Sequence, residues 1–319
     1  MTGIPAAEKG IQGILMSGVL LVAFVWGAVF VSLIGIFWRV LVLVRQPVHL
    51  RWELAPIPRE KSRGNYGGSY LEEYEWWKKS REQSTIAPLI YMAREIFLLH
   101  SVRMHNRSLW PFSFALHLGI YLFFAALFLH AISLPFPSQP RTAFSRACLD
   151  IASTAAFCSY LLGIAGAVGL LLKRYLDPEL SPFSSAGAYF NLLLLAAVFG
   201  SGAWAWLYSG DRVHEADCLI RGFVAFNGAP GISEPFVVHV ILFSLFCICL
   251  PFTNMVHFAA KYFTYHSVMW NDAPLDSRME RRLNDLMSEP VEWDTAGPER
   301  GRNWAEVVAE KAGNEKTNP

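Results

Sequence analysis

Five stretches of this chain are apolar over enough residues to cross a bilayer, and that constrains its fold more than any other feature. They are residues 13–44, 112–134, 147–172, 186–208 and 235–262. A spanning helix needs about 20 predominantly apolar residues, because hydrocarbon offers an open backbone no hydrogen-bond partner. The expected fold is therefore all-α, an integral membrane bundle of five helices. The composition agrees: 53% of residues are hydrophobic and 17% are charged, against about a quarter charged in soluble domains. The first stretch has no small-residue cleavage site after a short apolar core, so it reads as a retained helix.

An odd number of spans puts the termini on opposite sides, and basic residues decide which is which. The segment 46–110 between spans one and two carries ten Lys/Arg, with Arg39 and Arg45 just before it; the short loop after span three has Lys173 and Arg174, and the tail after Lys261 has seven more. The other side has Lys9, Arg141, Arg146, Arg212 and Arg221. This bias predicts an outer N-terminus and a cytoplasmic C-terminus. Residues 1–265 then form the membrane domain, with 46–110 inserted as a long cytoplasmic loop, and 266–319 form a cytoplasmic tail. The loop contains Trp52-Glu53-Leu54, a turn at Tyr66-Gly67-Gly68-Ser69, Trp76-Trp77 and a surface helix over 87–105. The tail contains a short helix near 279–287. Loop and tail read either as solvated connections or as a docking surface for a cytoplasmic partner, and so long a loop favours the docking surface.

The net charge of +1 gives no sign of nucleic-acid binding. The five cysteines form no CxxC, which excludes zinc ribbons, cysteine-held clusters and covalent c-type haem attachment. No Gly-rich phosphate loop or Ser-His-Asp set is present.

Four of the nine histidines fall inside spans: His117 and His130 in the second, His239 and His257 in the fifth. Ionisable groups in a membrane helix are costly and mark function by default; the bland alternative is hydrogen-bonded packing. Imidazole is a strong axial ligand of haem iron, and two antiparallel helices can each supply one at matched depth. The topology pairs His117 with His257 near the cytoplasm and His130 with His239 near the outer face. Two haems at those depths would form an electron path across the bilayer. His239 and His257 are 18 residues apart, five turns and about 27 Å along a straight helix, so both face one side. His117 and His130 are 13 apart, about 20 Å and 220° round an ideal helix. A π-bulge or kink near Gly119 would bring the second pair onto one face, and Pro251 can bend the fifth span.

The stretch from His239 through Pro251-Phe252 to Val256-His257 resembles the fifth helix of the cytochrome b (gamma) subunit of respiratory nitrate reductase. His117-Leu-Gly-Ile is similar to the start of that family's second helix. The resemblance covers roughly residues 13–265. It implies a haem held by His117 and His257 beside a cytoplasmic iron–sulfur subunit, and a second held by His130 and His239. It also implies quinol oxidation next to the outer haem, with Arg146 where the family has a basic residue. Asp150, one turn on, joins Arg146 as a quinone-site candidate. The span-two pair is further apart than in the nitrate reductase subunit. The large first loop resembles instead the homologous subunits of heterodisulfide-reductase-like and tetrahaem-cytochrome membrane complexes. That likeness implies menaquinone, an iron–sulfur partner of heterodisulfide-reductase or nitrate-reductase type, and a periplasmic multihaem cytochrome c. The expected role is thus a di-haem cytochrome b subunit carrying electrons between menaquinol and that partner. The rival readings are a haem-free anchor and a proton-coupled transporter.

Overall fold

The computed structural model describes residues 6–46, 74, 84, 86–138, 140–229, 231–263, 277–292 and 300–315. The loop signals at Trp52, Tyr66–Ser69 and Trp76-Trp77 lie outside the described residues. Among those described there are no strands, and five helices are long and apolar enough to span a membrane. The chain divides into two units, Met1–Leu41 with Gln83–Ala260, and Val42–Glu82 with Lys261–Pro319.

The first unit is the bundle. Its long helices are α1 (Ala6–Arg45), α4 (Trp110–Ser133), α5 (Ala143–Leu176), α6 (Ala186–Tyr208) and α8 (Glu234–Cys249). Two shorter helices, α2 (Ile86–Leu98) and α3 (His100–His105), precede α4, and α7 (Arg212–Ala225) joins α6 to α8. The surface helix expected over 87–105 is therefore two helices. Leu99 adopts φ 49°, a left-handed conformation that ends α2. The Glu95 carboxylate accepts from both the backbone N–H and the hydroxyl of Ser101, which supplies the first turn of α3 with an acceptor.

Small residues set the packing order. Lipid is as apolar as leucine, so membrane helices gain by close approach rather than by escaping water. On the α4–α5 seam, a Cβ added at Gly119 would come within 2.8 Å of the Gly163 nitrogen, and one at Gly166 would collide with the Leu116 backbone. Gly163 and Gly202 likewise receive the rings of Phe199 and Tyr160, so α5 and α6 also pack tightly. α6 in turn packs along α8, whereas α4 and α8 do not approach closely along their backbones. Aromatic side chains meet across that wider gap, with Phe123 and Phe243 centroids 5.0 Å apart. α1 lies against the bundle through Trp26, which stacks on Phe223 at 4.2 Å and donates to its carbonyl at 3.0 Å.

The fifth span is not one straight helix. After α8 come 3₁₀ turns at Leu250–Phe252 and Asn254–Val256, an extended Thr253 (φ −119°, ψ 173°), and α9 (His257–Lys261). Pro251 lacks the N–H that an α-helix would use there. Because the chain leaves the α-helix after it, the Pro251 carbonyl accepts from Arg39 Nε at 3.1 Å, and the pyrrolidine fits against Gly35, where a Cβ would come within 2.6 Å of it.

The second unit contains α10 (Ser277–Ser288) and α11 (Trp304–Glu315), so the tail helix expected near 279–287 is present. α11 starts with a reciprocal cap: Asn303 Oδ1 accepts from the Glu306 N–H, and Glu306 accepts from the Asn303 N–H. Val291 is buried beside a bridge in which its N–H donates to Arg302 O at 2.8 Å.

Candidate functional site

α4 and the fifth span carry all four intramembrane histidines, in two unlike settings. At the end where α4 begins, the His117 and His257 rings lie 6.1 Å apart, centroid to centroid, at 66°. His117 Nδ1 is 2.7 Å from Ser113 O, and His257 Nδ1 is 3.1 Å from Asn254 O. A carbonyl at that distance assigns Nδ1 as the donor and Nε2 as the lone-pair nitrogen. This is the tautomer and anchoring seen when histidine binds a metal. Metal–imidazole bonds are about 2 Å, so two rings clamping one ion have centroids on the order of 6 Å apart. The ring spacing and the carbonyl anchors fit a porphyrin iron held by two imidazoles.

The break at Pro251 produces this approach. On a straight helix His257 would lie about 27 Å beyond His239. Here His239 meets Phe123 of α4 at 6.4 Å while His257 meets His117, six residues away on the same helix and about 9 Å along it. Side-chain reach covers part of the difference; the 3₁₀ turns and the extended Thr253 cover the rest by turning the chain back.

At the other end the pair is not brought together. The register that sets Phe123 against Phe243 makes His130 level with Phe236, one turn from His239, so the depths agree. The phase does not. α4 is α-helical without a π-turn from Trp110 to Ser133, so nothing in it corrects the 220° offset of an ideal helix. Among the described residues His130 makes no ring contact with His239. His239 is buried with Nδ1 3.2 Å from both Val198 O and Ser201 Oγ, and Nε2 3.4 Å from the Tyr160 hydroxyl. The α4 side chain facing it is Phe123.

His130 is also buried. Its Nδ1 is 3.1 Å from Ala126 O, and its Nε2 has no partner among the described residues. It lies within electrostatic reach of Asp217 and Arg141. Arg141 Nε and Nη2 are likewise buried without an acceptor. Arg146 and Asp150 are instead exposed on α5, and they do not pair with each other despite their i,i+4 spacing.

Sequence reasoning missed α7 and the charges it buries. Asp217 (2% exposed) binds Arg221 Nε through both oxygens at 3.0 and 3.1 Å. Arg221 also donates to the carbonyls of Leu134 and Phe136 just past the end of α4, at 3.0 Å each. Buried Glu215 accepts from Ser209 Oγ and from the N–H and hydroxyl of Ser233, which links α6 to the start of α8. The signals were present: Asp211 caps α7 by accepting from the His214 N–H, and Asp217 and Arg221 stand at i,i+4. Burial, and then the neighbouring Asp217 charge, push the Cys218 thiol above its ordinary value. His214 is exposed on the same helix. At the opposite end, a hydrogen bond from Lys173 at 3.1 Å holds the Asp177 carboxyl below its ordinary value.

The model of the nitrate reductase gamma subunit family matches residues 99–271, more than half of the chain, including all four histidines and the broken fifth span. No curated protein matches it. On that match, five spanning helices and a histidine pair across the α4–α8 gap, the chain belongs to the nitrate reductase gamma-subunit family, whose members are membrane cytochrome b subunits of respiratory redox complexes.

Proposed function

We propose that this chain carries electrons between menaquinol and an iron–sulfur subunit of heterodisulfide-reductase or nitrate-reductase type, through a b-type haem held by His117 and His257. The observation that carries the proposal is the 6.1 Å apposition of those two rings, each with Nδ1 on a backbone carbonyl. A haem bound there would supply one-electron transfer, with its potential tuned by bis-imidazole ligation. Arg39 fixes the Pro251 turn that presents His257. The basic bias of the loops makes this end cytoplasmic, which suits an iron–sulfur partner there and a multihaem cytochrome c on the outer face.

Quinol oxidation also needs a proton acceptor and a group to hold the oxygen. Buried His130 Nε2 and the buried Arg141 nitrogens support those roles better than exposed Arg146 and Asp150. His130 Nε2 takes a hydroxyl proton, and Arg141 hydrogen-bonds the same oxygen. The resemblance implies a second haem on His130 and His239; the separated rings favour one.

Reducing the purified chain with a menaquinol analogue tests the reading. A b-type α-band in the reduced-minus-oxidised spectrum is expected. Its absence would leave a haem-free anchor.

A further inference from the structure

We propose that a pocket at the start of α4 binds the phosphate of an anionic phospholipid. The pocket, of about 420 Å³, is lined by His100, Arg103, Met104, Arg107 and Trp110. Its lining contains two guanidiniums and an imidazole, and no carboxylate. Among the described residues neither Arg103 nor Arg107 has an ion-pair partner. Arg103 stands over the Trp110 ring at 5.3 Å, and Trp110 is held by donating its indole N–H to Leu98 O at 2.9 Å. Two planar forks in a shared concavity suit a phosphate, which accepts several charge-assisted hydrogen bonds at once.

The surroundings favour a lipid as the source of that phosphate. Trp110 is the first residue of a span, where aromatic belts mark the headgroup level. The last turn of α2 lies along α4 inside the span: Tyr121 OH donates to Ile96 O at 2.5 Å, and Phe97 meets the Tyr121 ring at 5.8 Å. Phe97 (61% exposed), Ile96 and Leu98 thus present apolar surface on the bilayer side of the pocket. A phosphodiester on the arginines would leave acyl chains against that surface. Cationic pockets beside spanning helices recognise anionic lipid in this way.

The test is binding to the full chain in neutral detergent, followed by native mass spectrometry and thermal unfolding. The probes are phosphatidylglycerol, phosphatidylcholine and inorganic phosphate. Phosphatidylglycerol should bind and raise Tm, and the other two should not. Arg103→Gln and Arg107→Gln should each weaken that binding by roughly tenfold, with the far-UV spectrum unchanged as a check on folding. Equal binding of both lipids, phosphate binding as tight as phosphatidylglycerol, or full retention in a folded double variant would overturn the proposal. A pocket that rejects phosphatidylglycerol but binds an acidic peptide would also overturn it, as a protein-docking site.

Discussion

His117–His257 and His130–His239 place the same residue type on the same two helices at matched depth, yet only the first pair meets. At the α4 start, a proline break turns the fifth span back and puts His257 6.1 Å from His117. At the far end both helices are regular, so helical phase alone decides. A 13-residue spacing sends His130 towards α7, and His239 is held by Tyr160, Ser201 and Val198. Matched depth is therefore a necessary condition for a shared ligand and not a sufficient one. Either the spacing must suit the helix or the helix must break.

Substitution of the histidines tests this difference most severely. His257→Ala should abolish the b-type absorbance of the purified chain, and His117→Ala should do the same. His239→Ala should leave it in place, because that ring bonds protein groups on both nitrogens. Loss of the band in His239→Ala would restore the outer pair as ligands.

A second contrast lies in the packing on two sides of α4. Gly166→Val drives a side chain into the Leu116 backbone and should lower unfolding stability by about 3 kcal/mol. Phe243→Leu, in the wider α4–α8 gap, should lower it by about 1 kcal/mol. Thermal unfolding in one detergent compares the two, and equal losses would mean that α4 is not anchored chiefly by α5.

The smallest effect concerns Asp177, beyond the end of α5. Its carboxyl is held low chiefly by the Lys173 hydrogen bond, so the stability it adds is complete above the ordinary value of about 3.9. That increment disappears as pH falls from there through the lowered folded value. Unfolding curves in this acid window should be steeper in pH for the native chain than for Asp177→Asn; identical curves would remove the carboxylate from the account.

The five spans were legible because length and hydropathy alone define them, and α6 begins and ends where the apolar run does. The approach of His117 to His257 was legible from topology, which fixes relative depth. Pro251 announced a bend, but not its direction, since that depends on Gly35 and Arg39 of α1, distant in sequence. α7 escaped notice because 14 amphipathic residues with four charges and a histidine carry no membrane signal. With α7 unseen, the surroundings of His130 were hidden too, and so was the burial of the Arg141 nitrogens.

The most direct measurement is the number of haems per purified chain, in the native protein and in His257→Ala. One haem falling to none is the predicted result. A chain whose haem content is unchanged by His257→Ala would contradict the central claim that His117 and His257 together hold the iron.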